Sequence, residues 1–242
     1  MLSQSPSHRM ERVLAATHLF AGLDAELLSE LAARATVKKL VRGERLWRAG
    51  DPARQFHLIQ SGMIKILRRG PDGSEAIIGL FGPRESVGDV AVIGRRAYPA
   101  EAVVASNEAD VVRVDAESVL GAMASQLEVA ARMNSALVAR TQVLHAKIGV
   151  MSAGTVPKRL ATLLLSLAEH FGDEHEDGSL SIPVALSRSE LASLVSARVE
   201  TTIRTIRAWE RAKVVLTEPT GFVLLDPGVL QRLVRAEDEP AD

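Results

Sequence analysis

From Val37 to Val114, apolar residues alternate with polar ones in short runs: VKKLV, ERLWR, QFHLIQ, MIKILRR, EAIIGLF, AEAVVAS and DVVRV. Gly43, Gly50-Asp51-Pro52, Ser61-Gly62 and Gly70-Pro71-Asp72-Gly73 punctuate them. A period of two with turn residues between runs predicts seven or eight short strands closing into a barrel or roll. On either side the period lengthens. Residues 10 to 35 read as helical, with Asp24 placed to cap DAELLSELAARA and with Leu27, Leu28 and Leu31 on one stripe. Asp115 opens another helical region, and from about Leu127 onward Ala130, Asn134, Leu137, Thr141, Leu144, Ile148 and Met151 follow heptad spacing. That is a pairing seam for a second copy; the alternative is one helix laying an apolar stripe on the roll. Ala153-Gly154-Thr155 interrupts the helix, and Thr155 and Pro157 suit the start of the next, RLATLLLSLAEHF. The pattern therefore predicts an α+β chain with a roll at 1–126, a dimerisation helix at 127–153 and a third module at 154–242.

The third module carries the clearest candidate chemistry. In LSRSELASLVSARVETTIRTIRAWERAKVV, Ser187 can cap a first helix with Glu190 at capping-box spacing, Ser196-Ala197-Arg198 make a turn, and a second helix runs from Val199 to about Lys213. Leu191, Leu194, Val195, Ile203 and Ile206 are expected inside, while Glu200, Thr201, Arg204, Arg207 and Arg211 share the outer face. VVLTEPTGFVLLD then reads as two strands around Pro219-Thr220-Gly221, the wing of a winged helix-turn-helix. In a major groove a carboxylate can accept from cytosine N4 and a guanidinium can grip guanine O6 and N7, which makes Glu200 and Arg204 base-reading candidates. A solvent-exposed ion pair four residues apart is the competing reading. Six basic residues (Arg188, Arg198, Arg204, Arg207, Arg211, Lys213) against three acidic ones (Glu190, Glu200, Glu210) favour phosphates nearby.

Composition narrows this picture. The net charge of -1 means that any affinity for nucleic acid comes from a local patch rather than the whole chain. The absence of cysteine excludes disulfides, thiol sensing and a cysteine-held iron-sulfur cluster. No apolar run has the length of a membrane span, so a cytoplasmic protein without membrane partners is expected. Asp173-Glu174-His175-Glu176-Asp177 reads as a solvated loop, because adjacent polar residues do not converge on one ion. A metal enzyme of cupin type would need several histidines where the strand region has only His57. No catalytic set is visible, and no enzyme is expected. The alternative is a ligand-binding enzyme or signalling module whose winged domain binds protein.

In this order, a glycine-punctuated roll, a long helix, a hinge and a winged helix resemble the Crp/Fnr family of bacterial transcription regulators. Gly43, Gly50, Ser61-Gly62 before Met63-Ile64-Lys65, and Gly88-Asp89 are similar to its cyclic-nucleotide-binding-type roll, and RLATLLLSLA to the helix that opens its DNA-binding domain. The resemblance puts Glu200 and Arg204 on the base-reading positions and Ser187, Arg188, Val199, Thr201 and Arg207 on phosphate or flanking positions. It implies a homodimer, palindromic double-stranded DNA with TGA-like half-sites, and RNA polymerase as a further partner. It also marks Gly88, Asp89, Pro99, Ala100, Leu144 and His145 as the effector pocket. The cyclic-AMP branch needs Glu, then Arg-Ser, where this chain has Asp89, then Pro99-Ala100, so cyclic AMP is not expected to act. Arg95 and Arg96 are expected in a solvated turn. GDVAVIGRRAYPAEAVVAS is most similar to regulators of nitrate respiration and nitrosative stress, which makes haem a candidate cofactor and His18 or His145 a candidate ligand. Another small ligand, or control by abundance, remains open.

Overall fold

The computed structural model describes residues 6–70, 75–135, 137, 138, 141 and 154–236. The chain forms two compact units, Met1–Arg68 with Gly79–Gln142, and Arg69–Ile78 with Val143–Asp242.

Where one helical stretch was expected near the N-terminus there are two helices, α1 (Pro6–Ala15) and α2 (Ala25–Arg34). The intervening turns are held by the Thr17 hydroxyl, which donates to Leu14 O at 2.7 Å, and Asp24 caps α2 by accepting from Leu27 N at 2.8 Å. The roll consists of β1 (Thr36–Val41), β2 (Arg45–Trp47), β3 (Gln55–Ser61), β4 (Ile64–Arg69), β5 (Glu75–Phe81), β6 (Ser86–Val87), β7 (Glu101–Val104) and β8 (Glu108–Asp115). They form two four-stranded sheets, ordered β1-β8-β3-β6 and β2-β7-β4-β5. All seven alternating runs are strands, and β6 is an eighth too short to show a period. β3 lies inside its sheet and is covered on both faces: Phe56 and Leu58 join the helices, while Ile59 joins the roll interior. Its alternation is therefore lost, as in any strand buried twice. After β3, Gly62 turns the chain at φ 77°; a Cβ there would come within 2.7 Å of Ala109 Cα, so only glycine fits.

Within the first unit α3 (Asp89–Ile93) follows β6, and α4 (Ala116–Ser125) is capped by Asp115, which accepts from Ser118 N at 3.0 Å. Helix α5 begins at residue 127 and is described through 135 and at 137, 138 and 141. Its Val129 and Met133 are buried with α1, α2 and α4 in one apolar cluster. Burial of this kind, at roughly 25 cal/mol per Å², is the main stabilising contribution.

The second unit contains α6 (Val156–Phe171), β9 (Asp173–Glu174), β10 (Leu180–Ile182), α7 (Arg188–Leu194), α8 (Val199–Arg211), β11 (Val215–Glu218), β12 (Gly221–Leu224) and α9 (Pro227–Arg235). Its sheet runs β11-β12-β10-β9. Thr155 takes the N-cap position of α6 by its backbone, but its hydroxyl makes no cap bond; the following proline sets the first turn. The acidic run starting at Asp173 opens a short hairpin rather than a plain loop: β9 pairs with β10. Asp177 accepts from the Ser179 hydroxyl and N–H at the turn, which holds its carboxyl below the usual range. Leu160, Leu164, Leu191, Val195, Ile206, Phe222, Leu224 and Leu230 form the buried interior of this unit.

Candidate nucleic-acid interface

Two helices and a left-handed turn build the interface. Ser187 caps α7 with a complete capping box: Glu190 N donates to its hydroxyl at 3.2 Å, and Ser187 N donates to the Glu190 carboxylate at 2.8 Å. Val195 ends the helix, Ser196 turns at φ 51°, and Ala197 N closes onto Ala192 O at 2.9 Å. The small Ala192, 2% exposed, lets α8 start close by. Arg198 occupies the N-cap of α8 without a side-chain cap bond, and Glu200 in the first turn suits the positive end of the helix dipole.

Along α8, Glu200, Arg204, Arg207 and Arg211 are all exposed, and their four-three-four spacing sets them in one outward stripe. The opposite face is buried, with a difference from expectation. Thr202, Thr205 and Ile206 point inward and Ile203 is only half-buried. A buried hydroxyl needs a partner; Thr202 donates to Arg198 O at 3.2 Å and Thr205 to Thr201 O at 2.9 Å, so both satisfy themselves within the helix. Val199 and Thr201 are half-buried at the start of α8, and Ser187 is exposed. Arg188 turns toward its own domain: its Nη2 donates to the Glu210 carboxylate at 3.0 Å and to the Thr217 hydroxyl at 2.8 Å.

The roll positions singled out by resemblance also come together, around an aromatic group that the alternation pattern did not reveal. Trp47 stacks on Tyr98 with ring centroids 4.1 Å apart, and the His57 ring is 4.9 Å from Trp47. The Trp47 indole N–H donates to Ala100 O at 2.9 Å, and the Tyr98 hydroxyl donates to Gln55 O at 3.1 Å. Gly88, at φ 83°, lies against both rings: a Cβ would meet Tyr98 at 2.7 Å and Trp47 at 3.1 Å. Asp89 is buried and accepts from the Ser86 hydroxyl at 2.7 Å. Pro99 is exposed, and Arg95 pairs with Glu117 at 3.0 Å. Leu144, His145, Ile148 and Met151 lie outside the described residues. Burial, with smaller contributions from Asp89 and Asp51, pushes the Tyr98 phenol up and keeps it neutral. The one signal for this cluster in the sequence is scarcity: the chain has two Trp and one Tyr, and the roll interior takes one of each.

Of the two candidate haem ligands only His18 lies among the described residues. His18 is exposed in the turn between α1 and α2, with its N–H bonded to Arg84 O, and the roll interior is filled by Trp47, Tyr98 and His57. Burial foremost, then the charges of Arg113 and Lys38, push His57 down to about 3 from an ordinary 6.5. The unfolded chain therefore takes up this proton first, and stability falls as pH drops from 6.5 toward 3. Between pH 7 and 5 the loss from this group is about 2 kcal/mol. Urea unfolding at both pH values should show that much more loss in the wild type than in a His57→Phe variant; equal losses would contradict a buried neutral imidazole.

A roll followed by a winged helix-turn-helix defines the class as a sensor-linked DNA-binding regulator, and the comparisons agree. Residues 37–126 match the cyclic nucleotide-binding domain and residues 158–233 the Crp-like helix-turn-helix domain. The chain belongs to the Crp/Fnr family of transcription regulators. It is 26% identical over 228 residues to the CRP-like cAMP-activated global transcriptional regulator of Mycobacterium tuberculosis, across 93% of this chain and 100% of that protein. It is also 26% identical over 204 residues to the transcriptional activator protein anr of Pseudomonas aeruginosa, across 84% and 81%. The solved structure of a CRP-family transcriptional regulator from Thermus thermophilus aligns with TM-score 0.68 at 21% identity, covering 84% of this chain and 100% of that one. FixK2 from Bradyrhizobium japonicum aligns with TM-score 0.68 at 16% identity, covering 84% and 99%. The structural likeness at these identities establishes the fold. Among the described residues no helix is long and apolar enough to cross a membrane.

Proposed function

We propose that the protein is a homodimeric regulator that reads palindromic DNA through Glu200 and Arg204, and that cyclic AMP does not control it. The observation that carries the DNA reading is the outward stripe of α8, where a carboxylate and three guanidinium groups face away from a helix side sealed by Thr202, Thr205 and Ile206. Glu200 and Arg204 are the base readers; Ser187, Val199, Thr201 and Arg207 flank them as phosphate contacts, and contacts of that type set register without reading sequence. Pairing is expected along α5. Val129 and Met133 pack on the chain's own core, whereas Asn134 and Thr141 are exposed and Ala130 and Leu137 only half-buried. The described part of the seam stripe is thus not buried against the roll, which supports a second copy over the packing alternative. Two-fold symmetry then calls for half-sites about one helical turn apart, and RNA polymerase is the further partner such a regulator would engage.

The non-cyclic-AMP reading rests on the roll. Ala100 gives its carbonyl to Trp47, Pro99 has neither charge nor N–H, and Trp47 and Tyr98 fill the space beside Gly88. A phosphate buried there would lack a counter-charge. The relative from Mycobacterium tuberculosis is named as cAMP-activated, and this chain departs from that chemistry at Pro99 and Ala100. The remaining signals are another small ligand or the protein's own abundance. Fluorescence anisotropy on a palindromic duplex with TGA-type half-sites tests both claims. Sequence-specific binding by a dimer, unchanged by saturating cyclic AMP, is the expected result. A monomer indifferent to sequence would refute the first claim, and tight cyclic-AMP binding by calorimetry the second.

A further inference from the structure

We infer that Arg188 is a positioning residue that bolts the wing to the recognition helix, rather than a contact to the DNA backbone; the inference rests on the DNA-reading function proposed above. Arg188 opens α7, Glu210 lies in the last turn of α8, and Thr217 lies in β11. They close a ring. One nitrogen of the guanidinium donates to both the Glu210 carboxylate (3.0 Å) and the Thr217 hydroxyl (2.8 Å), and that hydroxyl donates in turn to the same Glu210 oxygen. The guanidinium carbon also lies 5.8 Å from the centre of the Phe222 ring, which belongs to β12 and is 2% exposed. Four elements thus meet on one side chain.

Geometry and charge both separate this group from the reading stripe. The side chains of Arg188 and Glu210 are 25% and 30% exposed, so water screens the pair only in part. Arg204 and Arg207 are exposed, and neither is held in such a ring. A cation in the first turn of a helix is opposed by the helix dipole, and here the Glu210 carboxylate offsets that charge. A guanidinium whose charge a carboxylate already offsets gains less from a phosphate than the exposed guanidinium groups of the stripe do. What it does instead is fix the angle at which the β11–β12 hairpin leaves α8, and with it where the wing tip at Pro219-Thr220 falls when α8 enters a groove.

Salt dependence separates the two roles. Removing a cation that neutralises one phosphate reduces the slope of log affinity against log salt by about 0.9, whereas removing a positioning residue changes affinity and leaves the slope alone. On the palindromic duplex with TGA-type half-sites, Arg188→Ala and Glu210→Ala should each weaken binding about tenfold at constant slope, as expected when a charge-assisted bond is removed. The double variant should be no weaker than either single one, because both remove the same ring. The Glu210 result is the sharpest, since removing an acid from a DNA-binding face strengthens binding on electrostatic grounds alone. Thr217→Val leaves charge and shape unchanged and should weaken binding about threefold. The exchanged pair, Arg188→Glu with Glu210→Arg, should recover part of the affinity. Without DNA, amide exchange of residues 215–224 should speed up in each single variant while that of α6 does not. A slope reduced by about 1.8 in Arg188→Ala, that is about 0.9 for each of the two copies in the dimer, tighter binding by Glu210→Ala, or unchanged wing exchange would overturn the inference. A wild-type protein without sequence preference would instead reject the DNA-reading function, while the exchange measurement still reports on the ring.

Discussion

Trp47→Ala is expected to lower the stability of the roll unit by about 3–5 kcal/mol, the largest single effect anticipated in this chain. The indole is 6% exposed, stacks on Tyr98 at 4.1 Å, contacts the space beside Gly88 and donates to Ala100 O. Truncation removes the transfer free energy of the ring, leaves a cavity between two sheets that cannot collapse freely, and deletes a buried hydrogen bond. Trp47→Phe keeps a ring but not the donor, and the loss should shrink to about 1–3 kcal/mol. Urea unfolding followed by far-ultraviolet circular dichroism reads both. A loss below about 1 kcal/mol for the alanine variant would mean that the interior repacks around a small residue, contrary to the range for buried aromatics. The same variant probes the sensor. If the aromatic stack is what excludes a ligand, opening it creates room for a small aromatic molecule but still provides no positive charge for a phosphate.

Arg204→Ala should weaken binding to the preferred palindrome by about 1–3 kcal/mol per half-site and abolish discrimination at one base pair in each arm. The side chain is exposed at the middle of the α8 stripe, one turn from Glu200, where a guanidinium has reach into a groove. Arg207→Ala should act differently, weakening all duplexes alike and reducing the salt slope by about 1 per half-site, about 2 for the dimer. Anisotropy titrations with probes carrying each single-base substitution distinguish the two patterns. An Arg204 variant that keeps its preference at every position would show that Arg204 does not read a base.

Much of the architecture could be read along the chain because it depends on local periodicity. Period-two runs became strands, Asp24, Asp115 and Ser187 became caps, and Ser196 became the turn of the helix-turn-helix, since each depends on a few neighbouring residues. The outer stripe of α8 was legible for the same reason. Its inner face was less so: Thr202 and Thr205 read as polar, yet inside a helix each hydroxyl finds an acceptor one turn back. The single helical stretch expected over residues 10 to 35 divided because the Thr17 hydroxyl turns back onto Leu14 O just after α1 and Gly22 takes a left-handed turn before α2, a tertiary outcome with only a weak mark in the pattern.

The aromatic interior shows most clearly where the pattern stops. Strict alternation would send Leu46 and Trp47 to opposite faces, but the pairing of β2 with β7 shifts register between Arg45 and Trp47, and both side chains are buried. A bulge is a property of two paired strands, and a single strand does not announce it. The ring of Arg188, Glu210 and Thr217 was hidden for a related reason: its members are 22 and 7 residues apart, and the family resemblance that puts Arg188 at a phosphate position does not reveal its partners. Alone, the sequence determined the element order, the capped helices and the charged outer face of α8, because propensity and amphipathicity act over one or two turns. That Arg188 turns toward its own domain, and what fills the roll, were decided only by the tertiary structure, because charge compensation and cavity filling depend on residues that meet only once the chain has folded.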